Sequence, residues 1–316
     1  MSISEITNFL FDDSKPFIFD DSTPFQILFE NALLNNNIVV VDILLLLQRS
    51  LFVDDNSDSI LVASWCNHID IVNRLLQEST TLVDPSTQDN AAILSASTRN
   101  CVEVVDRLLQ DSRVDPSAKD NSAIYWASRN GHIDVVNRLL QEPTTRVDPT
   151  TSNNYALHWA ITNNHIAVVD RLLQDKRVIQ FQYWIETEFK TAASSSGCAE
   201  IVDLFLHHGL VDPSIEKNFA IRWASLRGQV NVVDRLLQDC RVDPSFRGDE
   251  AICWAAQRGH VNVVERLLQD SRVNPMSAID VARENDDDTI LKLLLFYKHK
   301  QSMYRSVYNW CKTLFE

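Results

Sequence analysis

The residues of this chain that could do chemistry stand in rows. His68, His132, His165 and His260 share one recurring place, and Trp126, Trp159, Trp223 and Trp254 share another. Histidines could ligate a metal, each nitrogen at about 2 Å from the ion. Successive layers of packed helices lie about 8–10 Å apart, too far for two of these rings to share one ion. The row therefore predicts polar ties between loop backbones. The tryptophans predict a ladder of large side chains inside a stack, the alternative being an aromatic row offered to a ligand. Asp54, Asn56 and Asp58 imitate the opening of a calcium loop, but Ser59 stands where that loop needs glycine and Trp65 where it needs a bidentate glutamate. The reading there is a polar loop with Ser57 as a helix cap. Asp106, Asp170 and Asp234 are each followed by arginine, and Glu103–Arg107 and Asp134–Arg138 have the i,i+4 spacing of surface pairs on one helix. The sequence contains no glycine-rich phosphate loop, nucleophile elbow or paired metal ligands. No catalytic residue, cofactor or metal site is assigned.

Rows of this kind need a repeating scaffold, and the stretch from Asn121 to Pro149 supplies its unit. Ser122–Asn130 carries Ala123, Ile124, Trp126 and Ala127, and Ile133–Gln141 places Ile133, Val135, Val136, Leu139 and Leu140 at helical spacing. Neither helix is long enough to persist alone in water, so neighbours must hold it. Equivalent alanines are Ala32, Ala63, Ala96, Ala127, Ala160, Ala193, Ala224 and Ala255, at steps of 31 to 33 residues, with Ala282 following after 27. A fixed period in this range means stacked supersecondary units. Four residues after each alanine stand Asn36, Asn67, Asn100, Gly131, Asn164, Gly197, Gly228, Gly259 and Asp286, residue types that tolerate the left-handed backbone of an abrupt helix end. Valine at Gly131, Gly228 or Gly259 should therefore cost about 1 kcal/mol or more. Six residues before the alanines stand Ser57, Asn90, Asn121, Asn154, Thr187, Asn218 and Asp249, read as caps that accept from the first helical turn.

The segments SAIYWASRNGHIDVVNRLL, YALHWAITNNHIAVVDRLL and FAIRWASLRGQVNVVDRLL resemble the ankyrin repeat, whose core reads TPLHxAAxxGHxxVVxxLL. The resemblance covers roughly residues 23 to 297. The Thr-Pro is missing from the clear repeats, the histidine of TPLH survives in register only as His158, and Val-Asp-Pro replaces the usual Gly-Ala-Asp. This Val-Asp-Pro style resembles the divergent arrays of amoebae and large DNA viruses. The resemblance implies an all-α, helix–turn–helix solenoid of about nine repeats with short finger loops. Residues 1–22, acidic and twice reading Phe-Asp-Asp-Ser, are expected to cap one end, and 298–316 to form a terminal amphipathic helix with Tyr304, Val307, Tyr308, Cys311 and Phe315 on its apolar side.

Charge and cysteine usage narrow the function. A formal charge of −14 argues against a general nucleic-acid binder and for a monomer. Six cysteines show no paired spacing, and Cys101 and Cys198 occupy the histidine slot, so reduced thiols in the cytoplasm or nucleus are expected. Ile38–Leu47 is too short to span a bilayer and Asp42 interrupts it, so no membrane role is expected. The resemblance implies a non-enzymatic scaffold that binds a partner protein on its concave side, or else an adaptor or effector bringing that partner to another machine. On that side it places Arg99, Arg129, Arg227 and Arg258, flanking the aromatic finger Phe181, Tyr183 and Trp184 of the irregular sixth repeat. An acidic, apolar-centred partner segment lying across repeats three to eight would suit them. Equally open is that Phe181 and Trp184 turn inward to fill a degenerate repeat.

Overall fold

Every regular element among the described residues is a helix. The computed structural model describes residues 31–42, 57–77, 83–141, 146–196 and 198–315. They divide between two compact units, Met1–Thr151 and Ser152–Glu316. The calcium-like Asp54 and Asn56, the stop at Gly197 and the acidic residues 1–22 lie outside the described residues.

In the first unit, paired helices follow two short helical stretches at 31–34 and 38–42: α1 (Ser57–Trp65) with α2 (Ile69–Gln77), α3 (Thr87–Thr98) with α4 (Val102–Leu109), and α5 (Ala118–Arg129) with α6 (Ile133–Leu140). The second unit continues with α7 (Thr151–Thr162) and α8 (Ile166–Leu173), then α9 (Lys176–Ile179), α10 (Gln182–Thr191) and α11 (Ala199–His207). It ends with α12 (Ile215–Leu226), α13 (Val230–Leu237), α14 (Phe246–Gln257), α15 (Val261–Leu268), α16 (Ile279–Glu284) and α17 (Asp288–Phe315). No described helix is long and apolar enough to cross a membrane.

The apolar periodicity becomes the core directly. α6 buries Val135, Val136 and Leu139, and α5 buries Ala123, Ile124, Ala127 and Ser128. All the register alanines from Ala32 to Ala282 are buried, because only a small side chain lets neighbouring first helices approach closely. The stops also follow the sequence. Gly131 has φ 78°, and its N–H bonds the Ser128 carbonyl at 3.2 Å while the His132 N–H bonds the Ala127 carbonyl at 2.9 Å. This double closure satisfies the last carbonyls of the helix. Asn36, Asn67, Asn100, Asn164, Gly228, Gly259 and Asp286 are likewise left-handed.

The finger differs from expectation. Three consecutive left-handed residues lie in the first turn of α3, α5, α7, α12 and α14, as at Lys119, Asp120 and Asn121 with φ 51°, 55° and 60°. Asn90, Asn121, Asn218 and Asp249, read as caps, serve instead as ties to the next repeat. Asn90 Oδ1 accepts from the Asp115 N–H at 2.7 Å, Asn121 from Asp148 at 2.7 Å, Asn218 from Asp243 at 2.8 Å, and Asp249 from Asn274 at 3.0 Å. A left-handed backbone aims the side chain away from its own first turn, and burial makes the partner obligatory. Asn154 departs from the others because the following finger has lost its aspartate. There its amide donates to the Val178 carbonyl at 3.4 Å. Each finger aspartate folds back on itself too: Asp115 Oδ1 accepts from the Ser117 N–H at 2.9 Å and from its hydroxyl at 2.6 Å. The Ser117 bonds hold the Asp115 carboxyl below the usual range.

Repeat six has no left-handed triplet, and α10 takes the place of the finger. Thr187 sits inside that helix, its hydroxyl donating to the Tyr183 carbonyl at 2.9 Å rather than capping anything. Val178, Ile185 and Phe189 fill the interior, with Phe189 packed edge-on against Phe205 at 5.9 Å. The terminal helix runs unbroken across residue 298, so the last repeat and the expected tail are one element.

On the second helices, arginines pair between repeats. Arg138 meets Asp106 at 2.9 Å, Arg235 meets Asp203 at 2.5 Å, and Arg266 meets Asp234 at 2.6 Å. The expected bond from Asp134 to Arg138 within one helix gives way to this ladder, because stacking brings a carboxylate of the preceding repeat equally near.

Candidate partner-binding surface

Helix geometry decides which residues of a first helix can reach a partner. Four residues separate Trp223 from Arg227 and Trp254 from Arg258, so each pair shares one side of its helix. The buried side is set by Ala220, Ile221, Ala224 and Ser225 in α12, and by Ala251, Ile252, Ala255 and Ala256 in α14. At about 100° per residue, the position before the register alanine lies well round from that centre. The tryptophans accordingly are half-buried at the margin of the stack and not wholly inside it. The i,i+4 relation was the signal that could have placed them there.

In the first unit this surface pairs aromatic rings with guanidinium groups. Arg99 lies over the exposed Trp65 at 4.6 Å, and Arg129 over Trp126 at 4.9 Å. Arg129 also donates to the Tyr125 hydroxyl at 3.2 Å. Such stacking holds the cations in place at little cost to their charge. Arg99 is exposed and Arg129 half-buried.

In the second unit Phe181 and Tyr183 are 52% and 68% exposed, while Trp184 is half-buried with its ring 5.1 Å from Tyr183. Phe181 therefore does not turn inward, and Val178, Ile185 and Phe189 fill the irregular repeat. Further along, Phe219 stacks on Trp223 at 5.3 Å, and Trp223 meets Trp254 edge-on at 6.3 Å. Arg227 and Arg258 are both exposed. Arg222 is buried, lies 5.3 Å from the Trp254 ring and bonds Glu250 at 2.6 Å.

His158 and Glu188 occupy the same slots as Arg222 and Glu250, two and five residues before successive register alanines. His158 Nδ1 donates to Glu188 at 3.1 Å. That bond raises the imidazole above its ordinary 6.5, against the opposing effect of burial. A histidine with a raised folded-state pKa gives its stabilisation in full below pH 6.5 and loses it as pH climbs through the raised value. Stability should thus fall from pH 6 toward pH 8, and His158→Gln should flatten this slope when urea unfolding is followed across that range. An unchanged slope would remove His158 as its source.

The other candidate rows are structural. The ring nitrogens of His68, His132 and His260 bond the carbonyls of Leu34, Thr98 and Leu226 in the preceding repeat at 3.2, 3.0 and 3.0 Å. These are the predicted loop ties. Burial pushes the Cys253 thiol up to about 11 and raises Cys101 and Cys198 as well. Thiols held protonated in this way are poor nucleophiles at neutral pH.

Comparison with known families agrees with this geometry. A model of ankyrin repeats matches three times, over residues 93–182, 189–278 and 221–305. No curated protein matches the chain significantly. Paired short helices closed by a left-handed stop, the histidine ties and the family match together place this chain in the ankyrin-repeat family.

Proposed function

We propose that this chain is a non-enzymatic scaffold holding a partner protein against the face made by its first helices and fingers, the concave side in the ankyrin family. Ankyrin repeats generally mediate protein–protein interaction, which supports the class. The observation that carries the assignment is the exposure of Phe181, just before α10, and of Tyr183 in its first turn, beside half-buried Trp184. A protein gains nothing by holding two large rings in water, whereas aromatic side chains and arginine supply much of the energy at interfaces. The contact residues are Arg99 and Arg129 in the first unit, and Phe181, Tyr183, Trp184, Arg227 and Arg258 in the second. No cofactor takes part. The partner is a protein rather than nucleic acid or membrane, since the chain carries −14. The thiols Cys66, Cys101, Cys198, Cys240 and Cys253 suit the reducing cytoplasm or nucleus, and the scaffold acts as a monomer.

Affinity capture from the native cell, with identification by mass spectrometry, supplies the partner for the test. Phe181→Ala with Tyr183→Ala should then weaken its binding by about 2 kcal/mol, roughly thirtyfold, with the melting temperature nearly unchanged. Undiminished binding, or a large drop in melting temperature, would remove these rings from the interface.

A further inference from the structure

We infer that Arg227 and Arg258, with Trp223 and Trp254 between them and the core, form a docking site for an acidic segment of the partner that carries an apolar side chain among its carboxylates. This rests on the reading of the first-helix face as the binding surface. In a chain of net charge −14, arginines are held by acids. In the second unit Arg222, Arg235, Arg241, Arg266 and Arg272 each meet a carboxylate within 2.8 Å. Arg227 and Arg258 are exposed, and their guanidinium groups make no hydrogen bond or ion pair with any described residue. They stand at the same register of neighbouring repeats, three residues after Ala224 and Ala255. The cations nearer the rings are already neutralised: Arg222 by Glu250 and Lys190 by Glu216, each at 2.6 Å. Asp287, close to Gly259 in the next layer, is occupied in accepting from the Thr289 and Ile290 N–H groups at 3.1 and 3.0 Å. At the C-terminal ends of α12 and α14 the unspent positive charge is therefore that of the two guanidinium forks, which suit carboxylates.

The rings between them define the rest of the ligand. Trp223 and Trp254 meet at 6.3 Å and offer a half-buried apolar patch. Neighbouring first helices lie about 8–10 Å apart, and an extended chain rises about 3.3 Å per residue. Acidic residues three apart in an extended segment thus reach both forks, with an apolar residue between them over the rings.

The probe is a fluorescein-labelled peptide repeating Asp-Asp-Phe, titrated into the full chain at low salt, with an Asn-Asn-Phe repeat as control. We expect the acidic peptide to bind and the control to bind at least about tenfold more weakly, salt reducing only the former. Arg227→Gln with Arg258→Gln should weaken the acidic peptide about tenfold or more while leaving the melting temperature in place. Arg227→Glu with Arg258→Glu should transfer the preference to a Lys-Lys-Phe repeat, which keeps the test decisive if the neutral variant folds poorly. Equal binding of the acidic and neutral peptides, indifference to both arginine pairs, or tighter binding of single-stranded RNA through the same arginines would overturn the proposal. Should the captured partner still depend on Phe181 and Tyr183 in that case, the face stands and only the acidic chemistry fails. Should the partner ignore the rings and the arginines alike, both readings fail.

Discussion

Replacing Asn218 by alanine should destabilise the second unit by about 3 kcal/mol, from two losses of different origin. Asn218 is 5% exposed with φ 57°, and its Oδ1 accepts from the Asp243 N–H at 2.8 Å. Alanine in a left-handed backbone costs about 1–2 kcal/mol. An N–H left unpaired in a buried place costs about 1–3 kcal/mol more. The two losses separate by choice of variant. Asn218→Gly keeps the backbone and loses the acceptor, so about 2 kcal/mol is expected. Asn218→Asp keeps both features, as Asp249 does with the Asn274 N–H at 3.0 Å, and should cost under about 1 kcal/mol. Urea midpoints read out the series. Alanine as mild as aspartate would mean that the tie to the next finger contributes little.

Valine at Gly228 should cost more than valine at Gly259, although the sequence alone treats the two stops as equal. Both are left-handed, with φ 76° and 72°. A side chain at Gly228 would begin 2.9 Å from the His260 ring, whereas at Gly259 the nearest atom is the Asp287 carboxylate at 3.9 Å. His260 cannot swing away freely, since its Nε2 is tied to the Leu226 carbonyl at 3.0 Å. Gly228→Val is expected to cost about 3 kcal/mol or more, combining backbone strain with overpacking. Gly259→Val should cost only the strain, about 1–2 kcal/mol. Removing the ring with His260→Ala should reduce the extra cost at Gly228, which a double-mutant cycle would read as coupling. Additive effects would show that the ring is not what the new side chain meets. Asn100→Gly, by contrast, should be neutral or mildly stabilising, because Asn100 already bears the left-handed strain at φ 61°.

The proposed site was legible in part. The register puts Arg99 and Arg129 at equivalent places within the first unit, and Arg227 and Arg258 at equivalent places within the second, because equivalent residues of stacked repeats occupy equivalent places. It put the tryptophans wholly inside the stack, whereas they are half-buried at its margin, on the helix side that the four-residue step from Trp223 to Arg227 shares. Size and hydrophobicity suggested an interior ladder. The small residues Ala224 and Ser225 already occupy that interior, and a ring has no room beside them.

The sequence by itself determined the helix pairs, their left-handed ends, the buried alanines and the histidine ties. Each of these rests on local backbone preference or on apolar periodicity, which a single repeat already contains. Only the tertiary structure decided where the side chains of Asn90, Asn121 and Asn218 point, since their acceptors serve an N–H about 25 residues away. It also decided that Arg138 chooses Asp106 over Asp134, and that Phe189 fills the irregular repeat while Phe181 and Tyr183 face solvent. These are choices among partners of similar chemistry. They depend on distances between neighbouring repeats, and only stacking sets those distances.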